Sequence, residues 1–104
     1  MDSEKRLGRR QIFITEVSYE YLGMHFQGRV SDLSQGGFFI DTISPLAEDS
    51  IISFQFSLPG DNMGVPISGE GRVAWQTPMQ GMGIRFTRLS VASQEWLMSF
   101  LSRK

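Results

Sequence analysis

From Ile52 to Leu58 the chain alternates without a fault. Ile52, Phe54, Phe56 and Leu58 are apolar, and Ser53, Gln55 and Ser57 between them are polar. Side chains of an extended strand point alternately to its two faces, so this period of two argues against a helix here and calls for a sheet with one dry and one wet face. The same period recurs along the chain. Phe13, Val17, Tyr19 and Tyr21 share one parity, against Glu16, Ser18 and Glu20 on the other. Past Gly23, Met24, Phe26 and Val30 alternate with His25, Gln27, Arg29 and Ser31, and a third strand comes next over residues 38–42. Pro59-Gly60-Asp61-Asn62 carries turn chemistry, so the strand ending at Leu58 is expected to fold back as a hairpin into residues 65–76. Gly69 and Gly71 in that return strand mark a bend or bulge. Thr77-Pro78 turns the chain again, and Met82, Ile84 and Phe86 alternate with Gly83 and Arg85 in a sixth strand.

The last segment changes period. Ser90 is a suitable N-cap, and Ala92, Trp96 and Phe100, with Leu97 and Leu101 beside them, form an apolar stripe at helical spacing over Val91–Leu101. Arg103 and Lys104 sit beyond it, where the negative end of the helix dipole favours cations. Six short strands with turns between them and one closing helix predict a mainly β fold, a six-stranded antiparallel β-barrel with a C-terminal α-helix. At 104 residues there is room for one core and no second domain. Residues 1–10 hold almost no apolar side chain and read as a basic N-terminal arm, leaving 11–104 as the barrel domain.

Composition narrows the functions open to such a barrel. A formal net charge of -1 gives no general attraction to nucleic acid or acidic membranes, so any anion site must be local. With no cysteine there is no disulfide, thiolate metal site or thiol nucleophile, which suits the cytoplasm. No apolar run is long enough for membrane insertion, and residues 1–10 do not resemble a signal peptide. His25 has neither cysteine nor clustered carboxylates around it and reads as an ordinary strand residue rather than a metal ligand. The six methionines are scattered and serve as core filling.

One segment is written in a different chemistry. Asp32-x-Ser34-x-x-Gly37 interrupts two apolar strands with a carboxylate, a hydroxyl and bare backbone. Residues two apart in a strand face the same way, so Asp32 and Ser34 are presented together with Leu33 turned from them. A carboxylate accepts from the ring N–H and exocyclic amine of a guanine, and a hydroxyl adds a contact that donates or accepts. Gly36 and Gly37 permit positive φ or the close approach of something bulky. The positive charge collects in the arm, where Lys5, Arg6, Arg9 and Arg10 face only Asp2 and Glu4.

Together these residues resemble the PilZ domain, the receptor family for the bacterial second messenger cyclic di-GMP. Arg6-Leu7-Gly8-Arg9-Arg10 matches the family's RxxxR, and Asp32-Leu33-Ser34-Gln35-Gly36-Gly37 matches its (D/N)xSxxG. The stretches Gly71-Arg72-Val73-Ala74-Trp75 and Gly81-Met82-Gly83-Ile84-Arg85-Phe86 resemble the family's last two strands. Lys5 and Arg9 share the four-residue offset, but only the pair Arg6 and Arg10 is arginine at both ends. The resemblance implies that Arg6 and Arg10 clasp the ligand and that Asp32, Ser34 and Gly37, with Gly36, hold its guanine edge. It also implies that the ligand often binds as an intercalated dimer, giving Arg9 and, after it, Lys5 something to contact. A guanidinium suits this work because it forks onto phosphate, bonds the O6/N7 edge of guanine and stacks on a base. Trp75 is a candidate stacking partner, although its parity with Ile67 and Val73 favours packing at the core or the barrel edge. Arg72 and Arg85 fall on outward parities and read as solvated charges.

No cofactor is implied beyond the ligand itself. An enzyme is disfavoured, because Asp32 and Ser34 lack the histidine of a triad and no paired-carboxylate or metal site is visible. A barrel that binds a nucleic acid polymer would spread basic residues along one face, whereas here they concentrate in one arm. The expected function is a cytoplasmic receptor that passes its bound state to an unidentified downstream effector protein, in motility, exopolysaccharide, pilus or virulence control. The competing reading is a PilZ-like adaptor that binds protein without the nucleotide.

Overall fold

The computed structural model describes residues 10–11, 15–59 and 66–102. The chain runs through β1 (Arg10–Gln11), β2 (Thr15–Tyr21), β3 (Met24–Ser34), β4 (Gly37–Asp41), β5 (Ile51–Phe56), β6 (Ile67–Thr77), β7 (Gly81–Leu89) and α1 (Val91–Leu101). Strand β3 pairs with β2, β2 with β5, β5 with β6, β6 with β7, β7 with β4, and β4 returns to β3. All these pairings are antiparallel, so the six long strands close into the expected barrel. The two-residue β1 prolongs the β2 side of β3, with Arg10 opposite Ser34 and Gln11 opposite Leu33. Residues 12–14, between β1 and β2, lie outside the described residues. Phe13, the turn at Gly60–Asn62, and Arg103 with Lys104 lie outside the described residues.

Alternation fills the barrel as the sequence demands. Val17 and Tyr19 of β2 and Ile52, Phe54 and Phe56 of β5 are buried, while the polar residues between them are exposed. Phe38 stands at the centre, its ring 4.9 Å from that of Phe54, 5.0 Å from Phe56 and 5.6 Å from Phe86. Helix α1 lays Trp96, Leu97, Phe100 and Leu101 onto the barrel. The stripe begins at Ser93, not Ala92, because 93, 96, 97, 100 and 101 share the inner face and Ala92 falls outside it, exposed. The Ser90 hydroxyl accepts from the Ser93 amide at 3.0 Å, and the buried Ser93 hydroxyl accepts from the Ser68 amide at 3.1 Å, tying the helix to β6.

Three strands carry an irregularity. The ladder steps from Val30–Ile40 to Asp32–Phe39 in β3, leaving Ser31 unpaired against β4. It steps from Val73–Ile84 to Trp75–Gly83 in β6, leaving Ala74 extra, and from Glu70–Arg88 to Gly71–Phe86, leaving Thr87 extra in β7. The last lies beside Gly69 and Gly71, where the glycines announced it. Each extra residue inverts the parity of the residues after it.

Candidate functional site

Two of these bulges build the site. In unbroken alternation Asp32 would share the inward parity of Val30, and Trp75 that of Val73; the extra Ser31 and Ala74 turn both outward. Leu33 is fully buried while Asp32 and Ser34 are half-buried, so carboxylate and hydroxyl stand together on the outer face as expected. Trp75 corrects the packing preference: it is 53% exposed, because the bulge at Ala74 breaks the parity on which that preference rested.

Across four strands Asp32 stands opposite Phe39, Phe39 opposite Gly83, and Gly83 opposite Trp75. Beside this row Gly37 stands opposite Arg85. Asp32, Phe39, Trp75, Gly37 and Arg85 line an open cleft of about 350 Å³ that also includes Ser34, Gly36, Ala74 and Ile84. The Phe39 and Trp75 rings lie 6.3 Å apart at 32° and form its aromatic wall. The indole of Trp75 lies directly over Gly83, whose missing side chain makes room for it.

The glycines of the motif divide their work. A Cβ on Gly37 would run into the backbone carbonyl of Ile84, so this residue lets β4 approach β7; the close approach it permits is to the barrel's own backbone. Gly36 has open space around its Cα, and its carbonyl accepts from the Phe86 amide at 2.9 Å. Neither takes the positive φ that the sequence left open for them. The Ser34 hydroxyl donates to the Gly37 carbonyl at 3.4 Å, a long and therefore weak bond.

Strand β1 pairs beside this place. Its pairing sets Arg10 in register with Ser34, so the last residue of the first motif joins the second through the sheet. Arg6, Arg9 and Lys5 lie outside the described residues. Sequence reasoning missed Arg85 and Phe39. Arg85 is outward as its parity required, but the outward face is the cleft. Phe39 was signalled by its place in Phe38-Phe39-Ile40, since the middle of three consecutive strand residues must face away from its neighbours. His25 is an exposed strand residue opposite Glu20, with Nδ1 3.9 Å from the carboxylate. No group of three or more metal-ligating side chains occurs among the described residues, and no helix there is long and apolar enough to cross a membrane.

The fold resembles solved structures at low sequence identity. The Bacillus subtilis inhibitor of motility, MotI/DgrA, superposes with a TM-score of 0.75 at 15% identity over 88% of this chain and 47% of its own. The PilZ domain of CeSA from a cellulose-synthesizing bacterium gives 0.64 at 16% identity over 88% and 93%. Borreliella burgdorferi PlzA, solved in complex with c-di-GMP, gives 0.61 at 15% identity over 97% and 44%. The chain therefore spans about half the length of MotI/DgrA and PlzA, and nearly all of the CeSA domain. No curated protein matches the sequence. The PilZ domain pattern matches residues 4–103, almost the whole chain, and the chain belongs to the PilZ domain family.

Proposed function

We propose that the chain is a receptor for cyclic di-GMP, without catalytic activity, whose bound state is passed to a downstream protein. The observation that supports this reading is the β1–β3 pairing, which sets Arg10, the last residue of the first motif, in register with Ser34 of the second, and Ser34 lines the cleft. A guanine edge meets Asp32 and Ser34, its face meets Trp75 and Phe39, and arginines of the arm fork onto phosphate. The c-di-GMP complex of PlzA, which shares the fold, lends the same support. Arg6 and Arg10 are the clasping pair, with Arg9 in a secondary place. An arm that orders over the ligand changes the surface offered to a partner, and the signal needs no chemistry beyond that.

The test is calorimetric titration with cyclic di-GMP beside cyclic di-AMP and GTP, on the parent protein and on Arg10→Ala and Asp32→Ala. A charge-assisted hydrogen bond contributes about 1.5–3 kcal/mol, so either substitution is expected to weaken binding roughly tenfold to a hundredfold. Flat heats at several temperatures from the folded parent protein would leave the nucleotide-free adaptor as the function.

A further inference from the structure

Arg72 and Arg85 face each other directly across β6 and β7, both exposed on the outer face. Like charges at such a cross-strand position repel, and a sheet gains nothing from placing them there. Arg72 has Ile51 on its other flank and Arg85 has the bare Gly37, and neither makes an ion pair with a described residue. Glu70, the nearest acid along β6, stands opposite Arg88 instead. The row runs from Gly37, the last residue of the motif, through Arg85 to Arg72, so at about 4.8 Å per strand the arginine pair begins one strand from the motif and ends roughly 10 Å from it. Arg85 itself lines the cleft.

We propose that Arg72 and Arg85 form a phosphodiester site at the rim of the cleft opposite the arm, resting on the reading of the chain as a cyclic di-GMP receptor. A cyclic dinucleotide carries its two phosphodiesters on opposite sides of one ring. With a guanine edge on Asp32 and Ser34, one phosphodiester turns toward Arg10 and the arm, and the other toward Arg85. Two guanidinium forks converging on one phosphate turn the unfavourable pairing into a favourable one, and Gly37 leaves the path from Ser34 to Arg85 clear of any side chain.

Calorimetry and apo melting curves on Arg72→Ala, Arg85→Ala, the double variant and Arg85→Lys test this. Each alanine variant is expected to bind cyclic di-GMP about tenfold more weakly, and the double variant about a hundredfold more weakly. The lysine variant, which keeps the charge but not the fork, should recover only part of the loss. Apo melting temperatures should stay level or rise as the repulsion is removed. Parent-like affinity in the double variant, or a fall in the apo melting temperature of either single variant, would overturn the site while leaving the receptor intact. Absence of binding by the parent protein would instead remove the receptor reading on which the site depends.

Discussion

Gly37 and Gly83 lie on adjacent strands, and the same substitution should act on them in opposite ways. The atoms nearest a methyl at Gly83 all belong to the exposed Trp75 indole, a side chain with solvent to swing into. Gly83→Ala is therefore expected to keep the fold, red-shift the tryptophan emission and weaken cyclic di-GMP binding about tenfold through loss of the stacking surface. A methyl at Gly37 meets backbone that cannot move without parting β4 from β7. Gly37→Ala should lower unfolding stability by at least about 2 kcal/mol, seen as an earlier urea midpoint. Tyr19 gives a pH prediction at the same scale. Burial raises its hydroxyl pKa above the ordinary value near 10, and a side-chain hydrogen bond with Thr42 offsets part of the rise. The folded state thus holds this proton more tightly than the unfolded chain. The associated stability is whole below pH about 10 and is lost as the pH climbs through the higher folded value. Urea unfolding at pH 8 and pH 11 should show a drop that Tyr19→Phe reduces.

Elements were legible where a strand keeps one parity and illegible where it changes parity midway. Strand β5 and helix α1 read directly from their periods, as did the turn after Thr77, where the Gln80 amide donates to the Thr77 carbonyl at 3.0 Å. The bulges at Ser31 and Ala74 left no comparable mark, since each is a small residue common in any strand. The face of Asp32 came instead from its motif, and that of Trp75 was misjudged because only backbone pairing reveals the step. The β2–β3 hairpin holds another misfit. Its two-residue loop, Leu22-Gly23, has φ of 50° and 82°, the pattern of a type I′ turn, for which Asn-Gly is the favoured pair. Leu22 is 81% exposed and contributes little packing to offset its left-handed backbone. Leu22→Asn is expected to stabilise the protein by about 1 kcal/mol, read as a higher urea midpoint at unchanged slope.

At the scale of the molecule, β4 joins the core to the cleft. It closes the barrel between β3 and β7, and its successive residues Gly37, Phe38 and Phe39 serve backbone approach, core and cleft in turn. Phe38→Ala should cost about 3–5 kcal/mol, a large part of the roughly 5–15 kcal/mol that holds a domain of this size. A ligand spanning β3, β4 and β7 adds stability to the folded state alone, about 2.7 kcal/mol at a hundredfold excess over Kd. Cyclic di-GMP is therefore expected to raise the melting temperature of Phe38→Ala while GTP does not.

Ser31 and Ala74 have no partner in the ladders they interrupt, and the pairs on either side of each would meet in unbroken register if that residue were removed. Shortening a barrel strand by one residue ordinarily throws every later side chain to the wrong face. At these two positions it would not. The barrel thus carries slack at two points beside the cleft, where the β3–β4 and β6–β7 ladders would close rather than slip if a residue were lost, and the tilt of Asp32 and Trp75 is open to change by length alone.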